Sequence, residues 1–359
     1  MSIPLPMNLF SPLKLRDVTF RNRIAVSPMC QYSAQKGRPT DWHLVHLGSR
    51  AVGGAGAVIC EVTAVEPRGR GTPLDLGLWE DGQIEPLARI ARFVEEQGAV
   101  AGIQIGHAGR KASARIPWDE GGGPLSVEAG GWPVVGPSAL AYAPGHPTPT
   151  ALSVEEIGEI VQAFGAAARR ALAAGFRLLE IHSAHGYLLH QFLSAISNRR
   201  TDAYGGSFEN RTRFLREVVS AVRREWPERL PLFLRVSAID WGEGGWGLED
   251  NVELVRQLQP QGVDLVDCSS GGVLPPTPNA SGPGYQAGFA EQIRREAGIP
   301  TGAVGFITSP EQADHVIRSG QADLVLVARE LLRDPYWPLR AAGRLREEAP
   351  WPKPYLRAR

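Results

Sequence analysis

The sequence predicts an α/β protein in which residues 1–359 form one domain, a closed (β/α)8 TIM barrel. Three observations support this prediction. Strand-like and helix-like segments alternate strictly, the strand-like segments are continuous apolar runs of the kind that buried parallel strands need, and no change of composition divides the chain. The length alone would also suit two average domains, and an open doubly wound sheet is the less favoured layout for the same alternation.

The alternating segments follow one another from residue 23 to about residue 347. The predicted strands cover residues 23–27, 57–62, 100–105, 176–179, 231–236, 263–268, 300–304 and 323–327. The predicted helices cover residues 41–53, 84–97, 153–174, 207–225, 249–258, 286–297 and 309–319, with further helical segments to about 347.

Local signals mark where two of these helices begin or end. Ser153 and Glu156 have the spacing of a capping box, and Gly175 is the corresponding stop. The glycine-rich run 53–56 follows a helix and precedes a strand, the reverse of the order in a dinucleotide-binding loop. We interpret it as a helix stop, so any nicotinamide would bind only transiently at the barrel mouth.

Two long segments rich in Gly and Pro interrupt the alternation, at residues 107–152 and 269–285. They exceed the length of ordinary connections, so we predict that they are insertions at the C-terminal mouth of the barrel. A C-terminal tail follows at residues 348–359.

Charge and cysteine content exclude several classes of function. The chain has 38 basic and 38 acidic residues, so no net field attracts nucleic acid or an anionic membrane, and we expect a small-molecule partner. Its three cysteines form no C-x-x-C pair, which argues against zinc, iron–sulfur clusters and disulfides. No signal peptide or membrane span is recognisable. These features predict a cytoplasmic protein without a metal site.

The stretch 180–187 (EIHSAHGY) concentrates proton-carrying side chains behind an apolar strand. If the chain turns helically there, His182 and His185 project on one side, with Tyr187 beside them. This arrangement suits binding one oxygen twice and protonating a neighbouring atom. The alternative for either histidine is a hydrogen-bonded structural residue, which is also our interpretation of His190.

Loops seven and eight of a TIM barrel commonly bind phosphate. Here they carry Gly305, whose backbone N–H an anion can approach, and Arg329, which opens a helix despite the unfavourable helix dipole. Arg235 lies within an apolar strand, so it needs an anion beside it or a structural ion pair. Cys60 and Cys268 are interpreted as core thiols.

Five motifs together resemble the Old Yellow Enzyme family of FMN-dependent ene-reductases, in its thermophilic-like (xenobiotic reductase) branch. The likeness runs from residue 9 to the tail. The motifs are residues 21–24 (RNRI), 27–32 (SPMCQY), 104–111 (QIGHAGRK), 182–187 (HSAHGY) and 198–207 (NRRTDAYGGS).

The resemblance implies a TIM barrel that holds FMN noncovalently at its C-terminal mouth. It assigns the flavin ring, its pyrimidine edge and its phosphate to matching positions in this chain. One departure is Val62, where many relatives have Ala, so the flavin contact there carries a larger side chain. The implied cofactor-binding residues are Pro28, Met29, Cys30, Val62, Gln104, His182, Arg235, Gly305 and Arg329.

The resemblance also implies the reaction. NAD(P)H, with NADPH as the preferred reductant, reduces FMN, and an activated alkene then accepts hydride from flavin N5 at its β-carbon. His182 and His185 donate hydrogen bonds to the substrate oxygen, and Tyr187 protonates the α-carbon. Tyr32 and Cys30 also contact the substrate.

The family branch implies at least a homodimer, or a homotetramer, in which Arg357 reaches a neighbouring site. The alternative for Arg357 is a frayed tail. Alternative functions are a related flavin reductase acting on a dienoyl thioester or a xenobiotic nitro compound.

Overall fold

Eight parallel strands close into a barrel within the residues that this computed structural model describes, 7–119, 122–276 and 281–359. Each strand pairs with the next along the chain, and the last pairs with the first, Val325 opposite Ile24. The predicted TIM barrel is confirmed and the open sheet is wrong. The barrel strands are β3 (Ile24–Val26), β4 (Ala57–Ala64), β5 (Val100–Gly106), β8 (Leu178–Ser183), β9 (Leu232–Ser237), β10 (Leu265–Ser269), β11 (Thr301–Ala303) and β12 (Leu324–Val327).

Helices surround the barrel and bury their apolar stripes against it. In the helix Ile84–Glu96, for example, the buried residues Leu87, Ile90, Ala91 and Val94 recur at the spacing of one helix face. The helices are α1 (Asp41–Val52), α2 (Ile84–Glu96), α3 (Val154–Ala173), α4 (Leu188–Leu193), α5 (Phe208–Glu225), α6 (Leu248–Leu258), α7 (Ala287–Ala297), α8 (Pro310–Arg318), α9 (Arg329–Arg333) and α10 (Trp337–Leu345).

The local signals at helix ends are confirmed. Ser153 Oγ accepts the Glu156 N–H at 3.1 Å, and Glu156 Oε2 accepts the Ser153 N–H at 2.9 Å, so α3 begins with a capping box. Gly53 caps the C-terminus of α1. The glycine-rich run at 53–56 is therefore a helix stop.

A hairpin that the sequence did not reveal lies across the N-terminal end of the barrel. Its strands β1 (Leu13–Leu15) and β2 (Val18–Phe20) pair antiparallel. Phe20 packs on Phe233 of β9, with ring centroids 6.2 Å apart, and Arg16 pairs with Asp264 at 2.6 Å. Three-residue strands are too short to show a period, which is why the pattern escaped detection.

Strand β8 runs later than predicted, at Leu178–Ser183 rather than 176–179. Its register with β9 continues to His182 opposite Arg235 and Ser183 opposite Val236. The polar residues that suggested the end of the strand are therefore part of it. Glu180 and His182 share one face because side chains alternate along a strand.

The long loops carry little regular structure. Within 107–152, the short strands β6 (Val135–Gly136) and β7 (Thr150–Ala151) pair, and Trp118 meets Tyr32 edge to face with ring centroids 5.5 Å apart. The first insertion therefore reaches the mouth. Parts of both predicted insertions, 120–121 and 277–280, lie outside the described residues. Among the described helices, none is both long and apolar enough to cross a membrane.

Candidate active site

Polar side chains of four neighbouring strands converge inside the C-terminal half of the barrel. Register places Gln104 opposite Glu180, and Arg235 opposite both His182 and Asp267. Paired residues project to the same face of a sheet. Phe233 shares that face with Arg235 and packs on Phe20 of the β1–β2 hairpin, so this face points into the barrel. All five polar side chains are buried, so this cluster needs partners of its own.

The three residues predicted as catalytic lie together. The ring of His182 is 5.1 Å from that of His185 and 4.8 Å from that of Tyr187, centroid to centroid. The predicted helical turn between them is wrong, because His182 belongs to β8 and His185 adopts a left-handed backbone with φ of 58°. A left-handed residue reverses the chain direction, which brings the second imidazole back beside the first.

Hydrogen bonds hold every polar backbone group of this left-handed turn. The His185 N–H donates to Ser237 Oγ at 2.9 Å, and Lys111 Nζ donates to the His185 carbonyl at 2.9 Å. The Gly186 N–H donates to His190 Nδ1 at 2.9 Å. Because strained backbone persists only where its surroundings determine it, these bonds keep His185 in place.

His190 is a structural residue, as predicted. Its Nε2 lies 2.8 Å from Asp240 Oδ1, and neither side chain is exposed. Asp240 is held in turn by Ser194, whose hydroxyl donates at 2.5 Å. This chain of contacts anchors the turn from behind.

Burial keeps the two site histidines neutral. It lowers the pKa of both His182 and His185 well below the usual value, and the nearby Arg235 charge lowers each further. Burial also raises the pKa of Tyr187, with smaller contributions from Cys30 and Asp75. At neutral pH the site therefore presents two neutral imidazoles beside a protonated phenol.

A buried acid–amide pair lies below the histidines. Gln104 Nε2 donates to Glu180 Oε1 at 2.7 Å, so Glu180 fixes the orientation of the carboxamide. Burial, followed by the charge of Asp267, raises the pKa of Glu180 to about 8. Burial likewise raises the pKa of Asp267, although Arg235 opposes this.

For Arg235 the sequence left two alternatives, a structural ion pair and a bound anion, and its surroundings suit both. Its Nε lies 3.0 Å from Asp267 Oδ2, which is the structural ion pair. However, this contact lacks hydrogen-bond geometry, and Nε is among the buried atoms without a hydrogen-bond partner in the described chain. The guanidinium can therefore still bind an anion above it.

The residues present fit the pyrimidine edge of a flavin. Nδ1 of His182, Nε of Arg235 and Oε2 of Glu180 are buried without hydrogen-bond partners among the described residues. Buried polar atoms without partners are uncommon in native proteins and indicate a missing ligand. Together with the Gln104 amide they offer donors and acceptors at one level of the barrel, which a ring with alternating N–H and C=O groups satisfies.

A cavity of about 170 Å³ is lined by Gly305 and Arg329, the two residues predicted to bind phosphate, and it fits the flavin phosphate. Gly305 has φ of 118°, and a Cβ there would lie 2.9 Å from Gln286 Nε2. The Arg329 guanidinium lies over the Phe306 ring at 4.4 Å from its centroid. Helix α9 has only five residues, so the guanidinium and backbone N–H groups, rather than a helix dipole, would hold the anion.

The segment that follows β3 lines another cavity. Cys30 and Tyr32 line a cavity of about 520 Å³ together with Trp42 and Trp118. Met29 packs against the core, and Pro28 precedes it in the same irregular segment. Burial, then Asp75 and Glu61, raises the pKa of Cys30 well above the usual value, so this residue is a neutral thiol.

Val62 lies in an irregular part of β4, where the pairing with β5 shifts between Cys60 and Thr63. Its Cγ2 is 2.7 Å from where a Cβ on Gly106 would be. Val62 therefore packs against a glycine in the neighbouring strand, and this glycine accommodates the larger side chain.

The predicted Arg357 is not part of this cluster. It lies in the exposed turn Lys353–Ala358 and lines none of the cavities described above. The tail packs on its own chain through Tyr355 and Tyr336, with ring centroids 6.0 Å apart.

Sequence reasoning missed Lys111, Ser237 and Ser269. Lys111 ends the motif at 104–111. Burial, followed by the positive charge of Arg110, lowers the pKa of Lys111 to about 8. A lysine in the short segment that follows β5, close to His107 and Arg110, is a signal that could have been used. The two serines carried no such signal, because serine is common at strand ends.

Comparisons with known proteins agree with this arrangement. Residues 8–348 match the model of the NADH:flavin oxidoreductase / NADH oxidase family. The chain is 46% identical over 351 residues to the NADPH dehydrogenase of Bacillus subtilis, covering 97% of this chain and 98% of that protein.

Two solved structures show the same fold. Morphinone reductase in complex with tetrahydroNAD has a TM-score of 0.78 at 28% identity, covering 97% of this chain and 93% of that one. The Old Yellow Enzyme homologue from Zymomonas mobilis has a TM-score of 0.78 at 25% identity, covering 95% of this chain and 94% of that one.

Proposed function

The chain belongs to the NADH:flavin oxidoreductase / NADH oxidase family, and from this premise we propose that it reduces the activated C=C bond of α,β-unsaturated carbonyl or nitro compounds. As a member of this family it is an NAD(P)H-dependent flavin oxidoreductase with FMN as cofactor and NADPH as reductant.

The observation that carries the proposal is that the rings of His185 and Tyr187 lie 5.1 and 4.8 Å from the ring of His182, centroid to centroid. Reduction of an activated alkene places negative charge on the carbonyl or nitro oxygen, and it also needs a proton at the α-carbon. Two neutral imidazoles can each donate one hydrogen bond to that oxygen. The phenol of Tyr187 supplies the proton.

Bound FMN would supply the hydride, which originates from NADPH and adds to the β-carbon. Gln104, Arg235 and His182 would hold the polar edge of the cofactor ring, while Gly305 and Arg329 would hold its phosphate. The positive charge of Arg235 would stabilise negative charge at that edge. Pro28, Met29, Cys30 and Val62 would form the rest of the ring's surroundings.

Tyr187 transfers its Oη proton to the α-carbon and regains one from water before the next turnover. Its raised pKa means that the proton is present throughout neutral pH. Tyr32 and the neutral Cys30 would form the wall beside the substrate, with Trp118 at its outer edge. The two histidine donors at the substrate oxygen and the Tyr187 phenol at the α-carbon would hold the alkene in one orientation during the addition.

A neighbouring subunit would contribute Arg357. The exposed Tyr355 and Leu356 beside it, together with exposed Trp42 and Val45 near the mouth, are apolar surfaces that a homodimer or homotetramer would cover. Arg357→Ala should then change the KM for alkene without changing FMN content. An unchanged KM, or a monomer by light scattering, would contradict this.

The visible spectrum of the purified protein tests the proposed function. NADPH under anaerobic conditions should bleach the flavin absorption, and cyclohexenone should restore it with formation of cyclohexanone. Restoration by a dienoyl thioester or by a xenobiotic nitro compound without an activated C=C bond, but not by cyclohexenone or a nitroalkene, would instead favour the alternative flavin reductases.

A further inference from the structure

Ser269, the last residue of β10, forms a hydrogen bond with one of the two site histidines. Its Oγ lies 2.7 Å from His185 Nε2, and the serine is almost fully buried. The residue has had no role so far. It also lines the cavity that contains Gly305 and Arg329, so it stands between the two halves of the site.

The protonation of His185 limits what this bond can be. A neutral imidazole carries one N–H, so one ring nitrogen donates and the other accepts. His185 Nε2 faces Ser269, whereas Nδ1 forms no hydrogen bond with the described residues and is not among their buried unpartnered atoms. Nδ1 is therefore the nitrogen that remains open to a substrate.

An enolate or phenolate oxygen only accepts hydrogen bonds. For His185 to bind such an oxygen, its single N–H must be on Nδ1, and Nε2 must accept. The partner of Nε2 then has to be a donor, and a hydroxyl satisfies this because it can donate or accept. A carbonyl or carboxylate at the same place would draw the N–H to Nε2 and leave a lone pair facing the substrate.

We infer that Ser269 is a positioning residue that donates its hydroxyl proton to His185 Nε2 and so holds His185 as the Nδ1–H tautomer, with its N–H directed at the substrate oxygen. This rests on the proposed alkene reduction, since it concerns the same oxygen. The contacts of a second nearby serine agree with it: Ser237 Oγ accepts the His185 backbone N–H and donates to the Gly271 carbonyl, so its hydroxyl does not compete for the His185 ring.

Nuclear magnetic resonance can read the tautomer directly. In FMN-loaded protein labelled with ¹⁵N-histidine, the shifts of Nδ1 and Nε2 identify the protonated nitrogen. With 4-hydroxybenzaldehyde bound as an enolate mimic, His185 should show a protonated Nδ1 and an accepting Nε2. A proton on Nε2 in the bound state would overturn the inference. Because this measurement uses the wild-type chain, it decides the matter even if variants misfold.

Three variants test the role of the hydroxyl. Ser269→Ala should weaken 4-hydroxybenzaldehyde binding roughly ten- to a hundredfold, the effect expected for an interaction with an ionised group, and should broaden or shift the His185 resonances. Ser269→Thr keeps the hydroxyl and should restore both. Ser183→Ala is the matched control, since Ser183 follows His182 in strand β8 and its side chain therefore lies on the opposite face of the strand, and it should change neither.

The outcomes separate this inference from the proposed function. If the wild-type protein binds no phenol and reduces no cyclohexenone, the proposed function fails. If it does both, but Ser269→Ala retains full phenol affinity and unchanged His185 signals at equal FMN content, only the role of Ser269 is overturned.

Discussion

The rings of His182 and His185 lie 5.1 Å apart, centroid to centroid, although His182 belongs to strand β8 and His185 occupies a left-handed turn. Two different backbone conformations therefore present two neutral donors to one place. The geometry depends on the turn as much as on the side chains.

Removing either imidazole should weaken phenol binding. We expect His182→Ala and His185→Ala each to raise the dissociation constant of 4-hydroxybenzaldehyde by roughly a hundredfold, as for loss of one oxyanion donor. Both pKa values lie well below 6.5, so affinity between pH 6 and pH 8 should follow ionisation of the phenol alone. His315→Ala, on the exposed face of α8, is the control. Unchanged affinity in the site variants would remove the oxyanion role.

Tyr187→Phe should separate the two half-reactions. Without the phenolic proton, alkene reduction should slow by roughly a hundredfold or more, whereas reduction of the flavin by NADPH should be unaffected. Stopped-flow absorbance measures each step. Tyr204→Phe, which removes a hydroxyl bonded to Glu217 on α5, should change neither step. Impairment of flavin reduction alone would show that Tyr187 has another role.

The buried Glu180 should make the FMN-free protein less stable as pH rises. Its pKa is raised to about 8 from 4.5, so between these values the folded state keeps a proton that the unfolded state has released. The free energy of unfolding therefore falls from pH 4.5 to pH 8.

Glu180→Gln should flatten this pH dependence and stabilise the protein by up to about 5 kcal/mol at pH 9, since each pKa unit of the shift corresponds to about 1.4 kcal/mol, as measured by urea denaturation. The Gln104 bond survives because an amide oxygen also accepts. The exposed Glu85→Gln is the control. An equal slope in Glu180→Gln and wild type would show that Glu180 is ionised in the folded state.

Gly186 should tolerate no side chain. It has φ of 69°, and a Cβ would overlap the Gly272 carbonyl oxygen, which is backbone and cannot move away. Gly186→Ala should cost roughly 2–4 kcal/mol of stability and displace His185. Gly158→Ala, on α3 with open space around it, should instead stabilise by up to about 1 kcal/mol. Thermal unfolding of both variants tests the difference.

Arg329→Ala should release the cofactor. Loss of a charge-assisted contact to phosphate should raise the dissociation constant of FMN roughly ten- to a hundredfold, measured by fluorescence of released flavin. Arg344→Ala removes an exposed guanidinium that pairs with Glu311 and should have no effect. Retention of FMN in Arg329→Ala would place the phosphate elsewhere.

The sequence predicted the barrel well because its strands are apolar and its helices amphipathic. Such patterns are local and survive without tertiary information. The hairpin Leu13–Phe20 was missed because it is too short for periodicity. Strand β8 was ended too early because Glu180 and His182 look like loop residues unless one knows that a ligand or neighbouring strand satisfies them.

The site was predicted in its side chains but not in its geometry. His182, His185 and Tyr187 come together, but through a left-handed His185 that only tertiary contacts enforce. The contacts of Lys111 and Ser269 with the turn join residues 74 and 84 positions apart in the chain. No local pattern in the sequence encodes such pairs.

The hairpin at the foot of the barrel has a kinetic consequence. It covers the N-terminal end of the barrel through Phe20 and Arg16, so under the proposed function NADPH and the alkene would both reach the site from the C-terminal mouth. A high concentration of either should therefore block the other, and each should act as a competitive inhibitor of its counterpart. With the hairpin covering the N-terminal end of the barrel, the two reactants would thus bind at the same mouth one after the other.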